Sequence, residues 1–205
     1  MLYCHGSTGH TGTAKSSVRG NTMYIIIAVL VVLIIIVAVM YNRFIRCRNL
    51  LNEAWSGIDV QLKRRHDLIP NVVETVKGYA QHERKAFEEI TRLRSKMTDS
   101  DMTVKETGKL ESSFTQALKS IFALAEAYPD LKANQNFIEL QKTLSDVEEQ
   151  LQLARRYYNG TARDYNIMVE SFPNNILASL FHFTKAEFFE IELATEREIP
   201  TVKFT

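Results

Sequence analysis

Residues 23–40 read MYIIIAVLVVLIIIVAVM, eighteen consecutive positions without a charge, a glycine or a proline. As a helix this run rises ~27 Å, close to the ~30 Å hydrocarbon thickness of a bilayer. Water is absent at that depth, so a spanning segment must satisfy its own backbone and be helical. Tyr24 and Tyr41 stand at its two ends, where amphipathic rings favour the membrane interface. A cleaved signal peptide would have a shorter apolar stretch of ~7–15 residues and a small residue at the cleavage point. Here the run is longer and ends in Met40, and Phe44-Ile45-Arg46 before Cys47 is no lipidation box. The run therefore reads as an uncleaved anchor over residues 23–41.

The charge distribution follows the anchor. Arg43, Arg46, Arg48, Lys63, Arg64 and Arg65 follow it, against Lys15 and Arg19 before it, a bias that places the N-terminus outside and the remainder in the cytoplasm. That reading makes the chain a single-pass protein of a bacterial inner membrane. Residues 1–22 read as a disordered tail, and Met23 reads as a natural start that would leave them non-native. The formal charge of +1 over the whole chain gives no electrostatic basis for binding nucleic acid. Cys4 and Cys47 flank the anchor and cannot pair with each other, so no disulfide framework is expected.

Beyond the anchor, helical spacing dominates. Phe137, Leu140, Leu144, Val147, Leu151, Ala154, Tyr158, Thr161, Tyr165, Met168 and Phe172 recur at alternating three- and four-residue steps. That ~3.5-residue period implies left-handed supercoiled packing. Two shorter rows are Ile69, Val72, Val76, Tyr79, Glu83, Ala86, Ile90, Leu93, Met97 and Leu110, Phe114, Ala117, Ile121, Leu124, Tyr128. A fourth follows the anchor with Leu51, Trp55, Ile58 and Leu62. No strand alternation competes. With Asp67 as a cap, Pro70 in a first helical turn, and Pro129 and Pro173 as breakers, the expected helices are 24–66, 68–97, 105–127 and 134–172. The fold class is all-α: a transmembrane helix continuing into an antiparallel up-down four-helix bundle over 42–172. Residues 173–205 follow as a Phe-rich segment and tail, with short helices at 174–181 and 185–192.

The block Trp55 to Tyr79 contains Ile58-Asp59, Lys63-Arg64-Arg65, Asp67, Pro70-Asn71, Glu74-Thr75 and Lys77-Gly78-Tyr79. It resembles the LemA family of bacterial membrane proteins. Glu126 to Asn134, Arg155 to Asn159, Asp164-Tyr165-Asn166 and Ser171-Phe172-Pro173 resemble further blocks of that family, in order. His66 departs from the pattern, since an aromatic such as Tyr is usual there. The resemblance implies an anchored antiparallel helical bundle without a defined biochemical role. It also implies gene neighbours among membrane proteases and other membrane quality-control proteins.

The residues supply little for catalysis. His66, His82 and His182 lack the Glu three residues earlier that a di-iron bundle uses. There is no His-Glu-x-x-His, zinc-type Cys pair, phosphate-cradling glycine loop or Gly-x-Ser-x-Gly. No catalytic, cofactor or metal residues are therefore expected, and the leading reading is a non-enzymatic scaffold or adaptor. Its partners would be membrane lipid and proteins, membrane quality-control proteins among them, or further copies of itself. The rivals are a membrane-surface remodelling protein and an enzyme subunit whose site forms only with a partner.

Two clusters carry candidate sites. In the expected topology two corners meet at the tip distal to the membrane, bringing Asp59, Lys63, Arg64, Asp67, Asn71, Glu74, Asp130 and Asn134 together. They read equally well as a docking surface or as the caps and ion pairs that tight corners need. Lys63-Arg64-Arg65 is otherwise a solvated helix end. The second cluster is Phe181, Phe183, Phe188 and Phe189, read as a membrane-interface contact, as a plug folded into the open end of the bundle, or as a subunit contact. The seam itself makes a prediction. Leu144→Asp should cost several kcal/mol, whereas Asp at the polar-face positions Glu148 or Gln152 should cost little. Equal melting temperatures for the two classes would contradict the seam.

Overall fold

The computed structural model describes residues 14–80, 82–97 and 102–190, with side chains described from residue 23 onward. Its organising element is one helix, α1 (Ala14–Lys77), 64 residues long and so ~96 Å from end to end. Residues 23–36 are exposed on all sides of it, as a lipid-facing segment requires. The window of highest apolarity has a mean hydropathy of 3.4, and α1 is the one described helix long and apolar enough to cross a membrane. Residues 14–22, read from sequence as disordered, belong to α1, while 1–13 and Cys4 lie outside the described residues.

The expected break at Asp67–Pro70 does not occur. Leu62, Arg65, Ile69, Val72 and Val76 stay in phase on the buried side of α1 straight through the proline. Pro70 cannot donate to the carbonyl of His66, and a proline inside a helix costs ~3 kcal/mol when nothing compensates. Here Arg94 Nε donates to the His66 carbonyl oxygen at 3.1 Å, supplying from another helix the donor that Pro70 lacks. The actual stop is Lys77-Gly78, a cation in the last turn followed by glycine. Glu83, the charged residue in its apolar row, then lies in the turn and not in a helix.

The chain turns back toward the membrane in α2 (Arg84–Lys96) and runs away from it again in α3 (Val104–Ala127). A capping box opens α3: Thr103 accepts from the Glu106 N–H, and the Glu106 carboxylate accepts from the Thr103 N–H. That backbone bond holds the Glu106 carboxyl below the usual carboxylate range. After the single turn α4 (Pro129–Lys132), α5 (Gln135–Glu170) descends over 36 residues, with Asn134 capping it by accepting from the Phe137 N–H at 3.0 Å.

α1 and α5 run antiparallel in one unshifted register. Tyr79 meets Asn134, Arg65 meets Glu148 and Trp55 meets Tyr158. The expected α5 seam faces inward from Phe137 to Met168, with Leu140, Ala154 and Thr161 half-buried, the rest buried, and Ala162 buried beside Thr161. Phe172 is the exception at 80% exposure, because α5 ends at Glu170.

The core divides into two parts. Distally, α1, α2, α3 and α5 share Ile69, Val72, Phe87, Ile90, Phe114, Ile121, Phe137 and Leu144, with Leu131 of α4 closing the end. Nearer the membrane α2 is absent and α3 reaches only with its first turn, at Val104. Their place against Phe44, Leu51, Ile58, Leu151, Tyr158 and Tyr165 is taken by α6 (Asn174–Leu180) and the non-helical segment 183–190, hereafter the strap. The short helix expected at 185–192 is therefore not formed over 185–190, and 191–192 lie outside the described residues.

The Pro70–Arg94 relation is testable by a double-mutant cycle. Arg94→Met leaves the His66 carbonyl unpaired and should cost about 1–3 kcal/mol in denaturant unfolding. In a Pro70→Ala background, where a backbone N–H is again available, the same change should cost distinctly less. Equal costs in both backgrounds would remove the compensation.

Candidate functional site

The six α1 residues of the predicted tip lie along one uninterrupted helix, so they do not gather at a corner. Asp59, Lys63, Arg64, Asp67, Asn71 and Glu74 are all exposed. Asp59, Lys63 and Asp67 follow Trp55 at four-residue steps and line one cleft of about 390 Å³ with His66, Arg94 and Glu111. The true distal corner is Gly78–Glu83 against α4. Of the predicted residues, Asp130 and Asn134 belong there. Asn134 Nδ2 donates to the Tyr79 hydroxyl at 2.9 Å, and nearby Lys132 pairs with Glu126.

The floor of the cleft holds a buried ionic network that sequence reasoning missed. Arg65 is 2% exposed and Glu111 fully buried. Arg65 Nη1 donates to Glu111 Oε2 at 3.0 Å, and its Nη2 reaches Thr115 Oγ1 at 3.0 Å and Glu148 Oε2 at 3.2 Å. His66 Nε2 lies 2.7 Å from Glu111 Oε1. Phe114 packs against both, 5.2 Å from the Arg65 guanidinium and 5.0 Å from the His66 ring. Arg65 is thus no solvated helix end, and Glu148 is no inert polar-face residue. A buried charge is tolerated only when paired and hydrogen-bonded, a condition met here by five side chains on three helices. The sequence did contain a signal. Arg65 occupies the three-then-four step between Leu62 and Ile69, and Glu111 stands three residues before Phe114 and seven before Leu118, so two opposite charges stand at core positions.

The second candidate cluster separates by direction. Phe183 stacks on Phe44 with ring centroids 4.7 Å apart. Phe189 is fully buried and packs edge-on to Trp55 at 5.6 Å. Phe181 and Phe188 remain exposed at 44% and 42%. α6 ends in a Schellman-type reversal: the Phe183 N–H bonds to the Ala178 carbonyl and the His182 N–H to that of Ser179, with His182 at φ 56°.

Beyond that reversal the strap is held by side-chain amides of α5. Asn166 exchanges two hydrogen bonds with the backbone of Ala186, at 2.8 and 3.0 Å. One heptad earlier, Asn159 exchanges two with Phe189, at 2.9 and 3.0 Å. Each amide thus replaces the peptide partner that a strand would have in a sheet. Arg155 Nε donates to the Phe189 carbonyl at 3.2 Å and the Tyr158 hydroxyl to that of Glu187 at 2.9 Å. Burial, with the Glu187 charge, raises the Tyr158 phenol above its usual range. Its bond to Glu187 is therefore complete below pH ~10 and lost only as pH climbs through the raised value. Gly108 lets the strap approach α3, since a Cβ there would lie 2.4 Å from the Glu190 carbonyl oxygen. Arg155, Tyr158, Asn159 and Asn166, quoted above for a family resemblance, thus have one shared physical task.

The sequence profile of the LemA family matches residues 54–204, which includes the network, the seam and the strap. The chain belongs to the LemA family. It is similar to Protein LemA of Metamycoplasma hominis, 26% identical over 161 residues that cover 78% of this chain and 71% of that protein. It is also similar to Magnetosome protein MamQ 2 of Paramagnetospirillum magneticum and to Magnetosome protein MamQ of Magnetospirillum gryphiswaldense. These are 24% and 23% identical over 186 residues, covering 78% of this chain and 68% of each relative. This LemA-family chain is a membrane-associated helical protein. Among the described residues no group of three His, Cys, Asp or Glu side chains is placed to hold a metal.

The network gives the sharpest substitution test in this LemA-family bundle. Glu111→Leu or Arg65→Met alone strands a buried partner and should cost about 3–5 kcal/mol. The double substitution should cost clearly less than the sum, read as unfolding midpoints in denaturant. Additive losses would show that the pair is not coupled.

Proposed function

We propose that this protein is a non-enzymatic scaffold that holds a stiff helical rod on a membrane anchor and presents its distal end to protein partners in the cytoplasm. The observation that carries the reading is the continuity of α1. The helix of the apolar run is also the first helix of the bundle, with no linker between Met23 and Lys77. A partner bound at the distal corner would be held at a set height, with ~54 Å of helix between Asn42 and Gly78. The six-to-two excess of basic residues after the anchor supports the cytoplasmic placement. The exposed polar groups for docking are Asp130 and Lys132 at the distal corner, and Asp59, Lys63 and Asp67 on the cleft rim. Arg64, Asn71 and Glu74 offer further exposed contacts along α1.

Two measurements test this reading. A fluorescent-protein fusion after Thr205 should be bright and an alkaline phosphatase fusion inactive; an active phosphatase would reverse the orientation. Spin labels at Asn42→Cys and Glu74→Cys, in a chain with Cys4 and Cys47 replaced by Ser, should give one narrow distance near ~48 Å in a reconstituted bilayer. A broad distribution would remove the rod.

A further inference from the structure

We propose that the α6 corner is a second membrane contact, with Phe172, Ile176, Leu180 and Phe181 seated in the lipid interface beside the anchor. This rests on the membrane-anchored reading above and adds the surface on which the rod stands. The sequence pattern made Phe181, Phe183, Phe188 and Phe189 one group, whereas the structure turns Phe183 and Phe189 inward and puts different residues on the outer face.

The first observation is height. Phe181 packs edge-on to Tyr41 at 4.9 Å, and Phe183 lies 6.0 Å from the same ring. Val37 and Met40, inside the apolar run, pack against the cluster that contains Leu177 and Ala178. The corner therefore meets the anchor at the level where α1 leaves the bilayer.

The second is sidedness. Leu177 and Ala178 are buried at 6% and 3%, fixing the inner face of α6. On the outer side Phe172, Ile176, Leu180 and Phe181 are 80%, 60%, 66% and 44% exposed. Large apolar side chains grouped in this way mark a surface that another apolar phase covers.

The third is charge. No Lys, Arg, Asp or Glu occurs between Glu170 and Lys185, and those two residues pair with each other where the corner joins the bundle. The charge-free stretch is thus closed off on its bundle side by an ion pair, as the boundary between lipid and water would demand. Arg43, Arg46 and Arg48 are exposed at the same level, suited to anionic headgroups, and the Arg48 guanidinium lies 5.9 Å from the Phe183 ring. Continuity with the anchor, apolar exposure and this charge pattern together favour lipid over a second copy as the covering phase. With two contacts on one bilayer face, the rod has a defined tilt as well as a height.

The test uses the unaltered full chain in vesicles of phosphatidylcholine and phosphatidylglycerol doped with a lipid that carries a photoreactive diazirine near its headgroup. After illumination, lipid adducts are mapped by peptide mass spectrometry. Adducts both in 23–41 and in 171–184 are expected. Ile176→Asp with Leu180→Asp, both at exposed positions, should lose the second set, keep the first and leave melting unchanged. Adducts confined to 23–41 would overturn the corner contact while leaving the anchor intact, and so would dimers, counted by single-molecule photobleaching in the same vesicles, that the double substitution dissociates. Adducts in neither region would overturn the anchored reading itself.

Discussion

A helix inside a bilayer must satisfy its own backbone, and α1 stays helical for 37 residues after it leaves the apolar run, to Lys77. The rest of the molecule is arranged along this one rod. α5 runs beside it in a fixed antiparallel register, from Asn134 opposite Tyr79 to Tyr158 opposite Trp55. Because α1 does not stop, the distal bundle inherits the orientation of the anchor without a hinge. Pro70 would be the natural weak point, and Arg94 supplies the missing donor at its carbonyl.

What packs against the α1–α5 pair changes along its length. Distally two further helices complete an apolar core. Nearer the membrane their role passes to α6 and the non-helical strap, whose backbone has no helical or sheet partner of its own. That backbone is satisfied by Asn159 and Asn166, one heptad apart on α5, and by Tyr158 and Arg155. The buried Arg65–Glu111 pair lies where the two regimes meet. Its worth is better described as registry than as net stability, since a buried ion pair gains little over a well-packed apolar one but punishes any shift that separates the partners. It joins α1 to α3, with Glu148 of α5 as a third contact, so three helices are fixed relative to one another at one level.

This geometry explains why the candidate docking residues do not form one patch. Asp59, Lys63 and Asp67 rim the cleft above the ionic network, whereas Asp130 and Asn134 belong to the distal corner. Asn134 spends its side chain on capping α5 and on the Tyr79 hydroxyl. A partner that read both groups would have to lie along the rod.

The sequence by itself determined the anchor, the all-α class, the α5 seam and the reversal near Pro129. Each follows from local composition or from a period repeated within one segment. It left open, and in places misdirected, whatever depends on a distant partner. Pro70 reads locally as a helix start, and only Arg94, 28 positions beyond the His66 carbonyl it bonds, makes it a tolerable interior residue. Arg65 reads as solvated until Glu111, 46 positions on, is brought against it. The sequence suggested a last helix over 185–192, but the 183–190 backbone takes its partners from the amides of Asn159 and Asn166 in a non-helical form. The inward turn of Phe183 and Phe189 and the outward turn of Phe181 likewise follow from that strap. Local costs are written in the chain, while the groups that offset them are decided only when the helices pack.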